Sequence, residues 1–167
     1  MLLLIVIFCG FIISSDLLFR RVPNQVLLAA LIANVTWFVM NGRGFGSITV
    51  QDSFIGGLIA FALLIPLYAL RAMGAGDVKF FATLGFIMGP SYLVPLWLIG
   101  SVLAGMHALL WYLSNTSLAR ASATWMRIRN AVISSSLYEK ILEKRAGRRG
   151  IPYAAYLAIG AIAIAIA

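Results

Sequence analysis

Two aspartates account for the chemistry that this sequence can support. The 167-residue chain contains only five acidic residues. Asp16 is embedded in the apolar run Ile12–Phe19, and Asp77 closes the motif Gly74-Ala75-Gly76-Asp77 in front of another apolar segment. Burial of an ionisable side chain in an apolar helix is costly, so such a residue predicts a functional site. Asp16 and Asp77 are therefore the candidate catalytic pair.

Paired carboxyl groups have a defined chemistry. Two that share a site do not both ionise easily, so one keeps its proton while the other takes a proton from a water molecule held between them. The ionised member is the general base, and the protonated member donates first to the scissile carbonyl and later to the leaving amine. This is aspartic-peptidase chemistry, which requires no metal and no cofactor. A chain with one histidine and one cysteine fits that scheme.

Three residues next to Asp77 are predicted to shape the backbone or bind substrate. Gly74 and Gly76 lack Cβ, which lets the backbone bend and lets a substrate strand approach the carboxyl closely. Lys79 either positions substrate or anchors the helix end by extending its ammonium to the membrane surface, and we favour the anchor.

Simpler roles compete for several of these residues. Asp77 is also placed to cap a helix, and Asp16 to pair with Arg20 four positions later. Asp52 precedes an apolar segment and is predicted to be its N-cap, and Asn24 is predicted to cap the second helix. His107 lies within another apolar segment, where bonding to a neighbouring helix is more frequent than a place in a proton path. The remaining acids alternate with basic residues on a predicted solvated face, and they are Glu139 and Glu143.

The elements that position Asp16 and Asp77 are membrane helices. The chain is 62% hydrophobic and 11% charged, with a mean hydropathy of +0.99, which predicts an all-α polytopic bundle formed by one domain over residues 1–167. A single helix over the 34 residues Phe80–Leu113 would be about 51 Å long, so Gly89-Pro90-Ser91 is predicted to be a hairpin turn. The predicted spans are Met1 to about Ser15, Val26–Met40, Phe54–Leu70, Asp77–Met88, Tyr92–Leu113 and Ile151–Ala167.

The basic residues orient these six spans. Only Arg43 falls on the side that holds both termini, whereas the opposite side holds twelve basic residues, so the positive-inside rule makes that side cytoplasmic. The first span has no basic segment before it and is predicted to remain uncleaved. Asp16 and Asp77 then lie at the same cytoplasmic end of the bundle. The twelve residues are Arg20, Arg21, Arg71, Lys79, Arg120, Arg127, Arg129, Lys140, Lys144, Arg145, Arg148 and Arg149.

The basic segment 114–150 is predicted to contain an interfacial amphipathic helix. Its apolar residues recur at near-helical spacing among Arg and Lys, a pattern typical of helices that lie on anionic lipid. The net charge of +8 is therefore assigned to membrane topology and lipid contact, and no nucleic-acid partner is expected. The apolar residues are Trp125, Ile128, Val132, Ile133, Leu137, Ile141 and Leu142.

Three motifs together resemble the type IV prepilin peptidase family. They are Asp16 followed by Arg20-Arg21-Val22-Pro23-Asn24, then Gly74-Ala75-Gly76-Asp77-Val78-Lys79, then Gly150-Ile151-Pro152-Tyr153, so the resemblance extends over the whole chain. In that family two membrane aspartates, one late in an early helix and one in the Gly-x-Gly-Asp motif, cleave prepilin leaders at the cytoplasmic face of the bacterial inner membrane. The resemblance assigns these roles to Asp16 and Asp77.

More narrowly, the chain is similar to the short peptidase-only members that serve tight-adherence (Flp) pili, the CpaA or TadV type. The resemblance implies a prepilin substrate whose apolar helix lies beside the enzyme in the bilayer. Longer members carry a cysteine-rich zinc region and also N-methylate their product; this chain lacks that insert, so methyl transfer is not expected. Two alternatives remain: a small cation or proton transporter whose acids bind the ion, and a noncatalytic subunit of a secretion system.

Overall fold

A computed structural model describes residues 1–116, 126–127, 130–131, 134–145 and 150–167. The described residues form helices and contain no strand, which confirms the prediction of an all-α bundle. The α-helices are α1 (Leu2–Phe19), α2 (Asn24–Asn41), α3 (Val50–Ala69), α4 (Ala75–Met88), α5 (Leu93–Ser114), α6 (Ser136–Arg145) and α7 (Tyr153–Ile166), with short 3-10 turns at Phe45–Ser47 and Pro90–Tyr92.

Four of these helices are long and apolar enough to cross a bilayer. They are α1, α2, α3 and α5 with the turn before it, with mean hydropathies between 1.3 and 2.6. The helices α4 and α7 have 14 residues each, about 21 Å, which is shorter than a hydrocarbon core of about 30 Å. Large apolar side chains such as Leu3, Val39 and Leu58 are exposed on the bundle surface, as expected for helices that face lipid. The chain is a multi-pass membrane protein.

Helix boundaries differ most from the sequence prediction at the start of α3, which is Val50 and not Phe54, and at the end of α1. The first helix was predicted to end at about Ser15, but it continues to Phe19 and ends where Arg20 adopts a left-handed conformation (φ 53°) and donates its N–H to the Asp16 carbonyl. Asp16 therefore lies within the last turn of α1. The predicted hairpin turn is present, since α4 ends at Gly89 (φ 84°) and the 3-10 turn Pro90–Tyr92 follows.

Two predicted caps are wrong in detail. The N-cap of α3 is Thr49, and Asp52 is the third residue of a reciprocal capping box in which Thr49 N–H donates to Asp52 Oδ2 at 2.8 Å. Asn24 was expected to cap α2, but Pro23 occupies that position and makes no side-chain bond. Asn24 Oδ1 instead accepts a hydrogen bond from Lys79 Nζ at 3.4 Å, which links α2 to α4.

The core of the bundle forms around α4 and α7. Phe80 and Phe81 on α4 are fully buried, and the Phe80 ring lies 5.5 Å from that of Phe8 on α1. Helix α7 packs between α1 and α5 and also contacts α4. Its buried face consists largely of small residues, which allow neighbouring helix backbones to approach closely. These are Ala154, Ala155, Ala158, Gly160 and Ala161.

Helices α3 and α4 approach each other closely at two glycines. A Cβ atom on Gly85 would lie 2.5 Å from the Gly56 carbonyl oxygen and 2.8 Å from Ala60 Cβ. We expect Gly85→Ala to lower the free energy of unfolding by about 1–3 kcal/mol, because a backbone contact cannot move aside for the methyl group. Thermal unfolding of the detergent-solubilised protein would measure the effect.

The matched control for Gly85→Ala is Gly105→Ala in α5. A Cβ at Gly105 has nothing within 4 Å, so the same substitution should be neutral or slightly stabilising through helix propensity. Equal melting temperatures for the two variants would contradict the proposed close contact of α3 with α4.

The basic segment 114–150 is described only in part. Within it, α6 is helical, with Ile141 half-buried and Leu142 exposed. Trp125, Ile128, Val132 and Ile133 lie outside the described residues, so the amphipathic helix predicted over the longer segment stays a prediction. The orientation of the bundle in the membrane also stays a prediction from the charge distribution.

Candidate active site

Asp16 is held by the first turn of α7. Its side chain is buried, with 6% of its surface exposed, and its Oδ2 accepts a hydrogen bond of 3.0 Å from the Ala155 N–H. Amides in the first turn of a helix have no partner within that helix, and the helix dipole adds partial positive charge there. The Asp16 carboxyl, brought from α1, satisfies one of these amides.

Asp77 reaches the same turn from α4. The backbone amides of Gly74 and Ala154 lie close enough to its carboxyl to interact with it electrostatically. The N-cap of α4 is Gly74 and not Asp77, so the predicted capping role is wrong in detail; the Asp77 carboxyl lies in the first turn of α4, where the helix dipole favours negative charge. The interaction with the Ala154 amide crosses to α7 and is not explained by capping of α4.

The two carboxyl groups thus meet at one helix end. Ala154 and Ala155 are consecutive, so Asp16 and Asp77, which are separated by 61 positions in the chain, lie at neighbouring amides and interact electrostatically with each other. The structure brings together the pair selected from the sequence. The sequence reasoning missed Ala154 and Ala155, because they act through the backbone; the only signal was Pro152, which marks the start of a helix.

Two guanidinium groups lie on the Asp16 side of the pair. Arg20 and Arg145 both interact electrostatically with Asp16. Burial and the neighbouring Arg145 guanidinium lower the pKa of Arg20 from its ordinary value, although arginine remains charged. Among the described residues, Arg20 Nε and Nη1 have no hydrogen-bond partner. The predicted pairing of Asp16 with Arg20 is therefore an electrostatic interaction, and neither of these two nitrogens bonds the carboxyl.

The predicted accessory residues occupy different surroundings. A Cβ on Gly76 would lie 3.3 Å from Val22 Cβ, and one on Gly74 would lie 3.1 Å from Asp77 Oδ2, so both glycines leave room for close packing. Lys79 is exposed and bonds Asn24. Substrate contact by Gly74, Gly76 or Lys79 stays a prediction.

Comparison with known proteins identifies the family. The model of the type IV leader peptidase family matches residues 3–109, nearly two thirds of the chain, and this region contains both Asp16 and Asp77. The chain belongs to the type IV leader peptidase family. Its α7, which holds both carboxyls, lies beyond the matched residues.

A curated relative agrees with this assignment. The chain is 30% identical over 78 residues to the prepilin leader peptidase/N-methyltransferase of Vibrio cholerae serotype O1, an alignment that covers 42% of this chain and 30% of that protein. No solved structure matches the chain. The family assignment therefore rests on the sequence comparisons. The arrangement of the two carboxyls rests on the structure described above.

Helix α5 fixes the first turn of α7 through two tyrosines of α7. The Tyr153 hydroxyl lies 3.0 Å from that of Ser101, and the Tyr156 hydroxyl lies 2.6 Å from His107 Nδ1. The prediction that His107 bonds a neighbouring helix is thereby confirmed. Since Ala154 and Ala155 lie between these tyrosines, both amides that hold the aspartates are tied to α5.

The described part of the chain contains no group of three or more His, Cys, Asp or Glu side chains that could hold a metal ion. Asp52, the other acid in a long helix, is half-buried in the capping box of α3. The arrangement at α7 is thus a pair of carboxyls, held by backbone amides and flanked on one side by cations. Such a pair can exchange protons with a water molecule and with a peptide bond.

Proposed function

We propose that this chain is an intramembrane aspartic endopeptidase that removes the leader peptide of type IV or Flp prepilins at the cytoplasmic face of the bacterial inner membrane. Asp16 and Asp77 are its proposed catalytic residues. The observation that carries the proposal is the meeting of their carboxyls on the consecutive amides of Ala154 and Ala155. Membership of the leader peptidase family supports leader-peptide cleavage as the reaction.

The proposed reaction uses only the two carboxyls and water. The ionised carboxyl removes a proton from the water, whose oxygen attacks the scissile carbonyl carbon, while the protonated carboxyl donates to the carbonyl oxygen. When the C–N bond breaks, the carboxyl that took the proton from water donates it to the leaving amine, and the other carboxyl regains its proton from a hydroxyl of the diol intermediate. The carboxyls then return to one proton between them, so no cofactor and no covalent enzyme intermediate is required.

The proposed substrate is a pilin precursor with an apolar helix in the bilayer and a leader at the cytoplasmic surface. The four long apolar helices and the exposed apolar surface of the bundle support a site at the membrane. Membrane lipid is a proposed partner, and nucleic acid is not. We further propose that the enzyme leaves the new N-terminus unmethylated, in contrast to the dual name of the Vibrio cholerae relative.

Reconstitution tests the function directly. The purified protein in liposomes should convert a synthetic prepilin into mature pilin and free leader, both identified by mass spectrometry, with no mass increase from methylation when S-adenosylmethionine is supplied. A flux assay on the same liposomes tests the transporter alternative. Ion flux that depends on Asp16, without cleavage of any prepilin supplied, would contradict the peptidase.

A further inference from the structure

Helix α6, from the basic cytoplasmic segment, reaches the end of α1. It packs against α1, and Arg145 at its C-terminal end donates from Nη2 to the Leu17 carbonyl oxygen at 2.9 Å. Leu17 lies in the last turn of α1, where carbonyls lack partners within the helix and the helix dipole is negative. A cation at this position stabilises the helix, so Arg145 caps the C-terminal end of α1.

Arg145 also acts on Asp16, in addition to capping α1. Arg145 lies within electrostatic range of the Asp16 carboxyl, as does Arg20. The two guanidiniums also lie within range of each other, and Arg20 Nε and Nη1 and Arg145 Nε are buried without a hydrogen-bond partner in the part of the chain that the structure describes. Like charges repel each other when desolvated, and a carboxylate beside them offsets that cost.

The two carboxyls of the pair therefore differ in their surroundings. Among the charged side chains that the structure describes, the one that bears on Asp77 is Asp16. Those that bear on Asp16 are Arg20 and Arg145, and the Tyr156 hydroxyl lies near Asp16 and Arg20. In a pair that shares one proton, the carboxyl beside two cations is the one that carries the negative charge.

We propose that Arg145 is a positioning residue that, once α6 is docked on α1, holds Asp16 as the carboxylate that activates water and leaves the shared proton on Asp77. This inference rests on the proposed peptidase function and deepens it. It makes the cytoplasmic segment part of the active site, with Arg145 acting through the charge of Asp16 and not on the reacting atoms.

Substitution of Arg145 separates its electrostatic effect on Asp16 from its structural role at the end of α1. Arg145→Gln should lower kcat for leader cleavage about tenfold or more, since an opposite charge nearby changes the ionisation of a carboxyl by about one to three pK units. KM should change much less, because substrate binding is not affected. Arg145→Lys keeps the charge and should recover most of kcat. Lys140→Gln, an equal charge loss at an exposed position of α6, is the matched control and should behave as wild type.

The outcomes are distinct. Wild-type kinetics in Arg145→Gln would overturn the proposal, as would a rise in KM alone, which would indicate substrate binding. Equal loss in Arg145→Gln and Arg145→Lys, together with a lowered melting temperature, would reduce Arg145 to a cap and also overturn it. Absence of cleavage by the wild-type protein would instead refute the peptidase function itself.

Crosslinking tests the docking of α6 without any activity. A short bis-maleimide should join Leu17→Cys to Arg145→Cys within one chain, while Leu17→Cys paired with Lys140→Cys should react far less. The native Cys9 is fully buried and does not compete for the reagent. Equal reaction of the two pairs would show that α6 is not held at the end of α1, and the proposal would fail.

Discussion

Asp16→Asn and Asp77→Asn are each expected to lower kcat of leader cleavage by about 10⁴-fold or more. Removing one member of a catalytic unit that acts together usually costs nearly as much as removing all of it. Asparagine cannot take a proton from water as a carboxylate does, and it cannot donate the carboxylic proton. Its amide oxygen can still accept the N–H of Ala155 or Ala154, so both variants should insert and fold normally.

The matched control is Asp52→Asn. Asp52 is a half-buried acid in a long helix of the same protein, and its carboxylate serves the capping box of α3. The substitution should cost about 1 kcal/mol of stability and leave cleavage unchanged. A gel-shift assay of prepilin processing measures all three variants, with melting temperatures as the check on folding. Normal processing by a folded Asp16→Asn or Asp77→Asn protein would contradict the proposed pair.

Asp16 and Asp77 could be chosen from the sequence because burying an ionisable side chain among apolar residues costs much free energy. Few acids are tolerated among apolar residues, so each of them is informative. The hairpin at Gly89-Pro90 was also predictable, since a single helix of about 51 Å is much longer than a bilayer core of about 30 Å and its end would leave the apolar environment. Both predictions depend only on the residues of one segment, and these can be read from a single sequence.

What could not be predicted depends on contacts between distant segments. The sequence placed both aspartates at one end of the bundle but did not show that the amides of Ala154 and Ala155 hold them, because any residue except proline supplies an N–H. Alanine at these positions has no chemical signature. The end of α1 was also misplaced, since its last turn is stabilised by α6 and by the left-handed Arg20 rather than by its own sequence.

The second large effect concerns those amides. Ala155→Pro should lower kcat by about 10- to 100-fold, because a hydrogen bond to a charged group is worth about 1.5–3 kcal/mol and each 1.4 kcal/mol is a factor of ten. Proline has no N–H, so Asp16 would lose the bond of 3.0 Å that fixes its Oδ2. Proline is tolerated in the first turn of a helix, where N–H groups have no helical partner, so α7 should persist.

Because Ala155 is buried, the effect of the larger proline side chain must be separated from the effect of the lost N–H. Ala155→Val adds a side chain of similar volume and keeps the N–H, so it should retain far more activity than Ala155→Pro at a similar melting temperature. Single-turnover cleavage of the synthetic prepilin in liposomes would compare the two. Equal loss in both variants would attribute the effect to packing of α7 against α1, and the Ala155 amide would then have no separate part in holding Asp16.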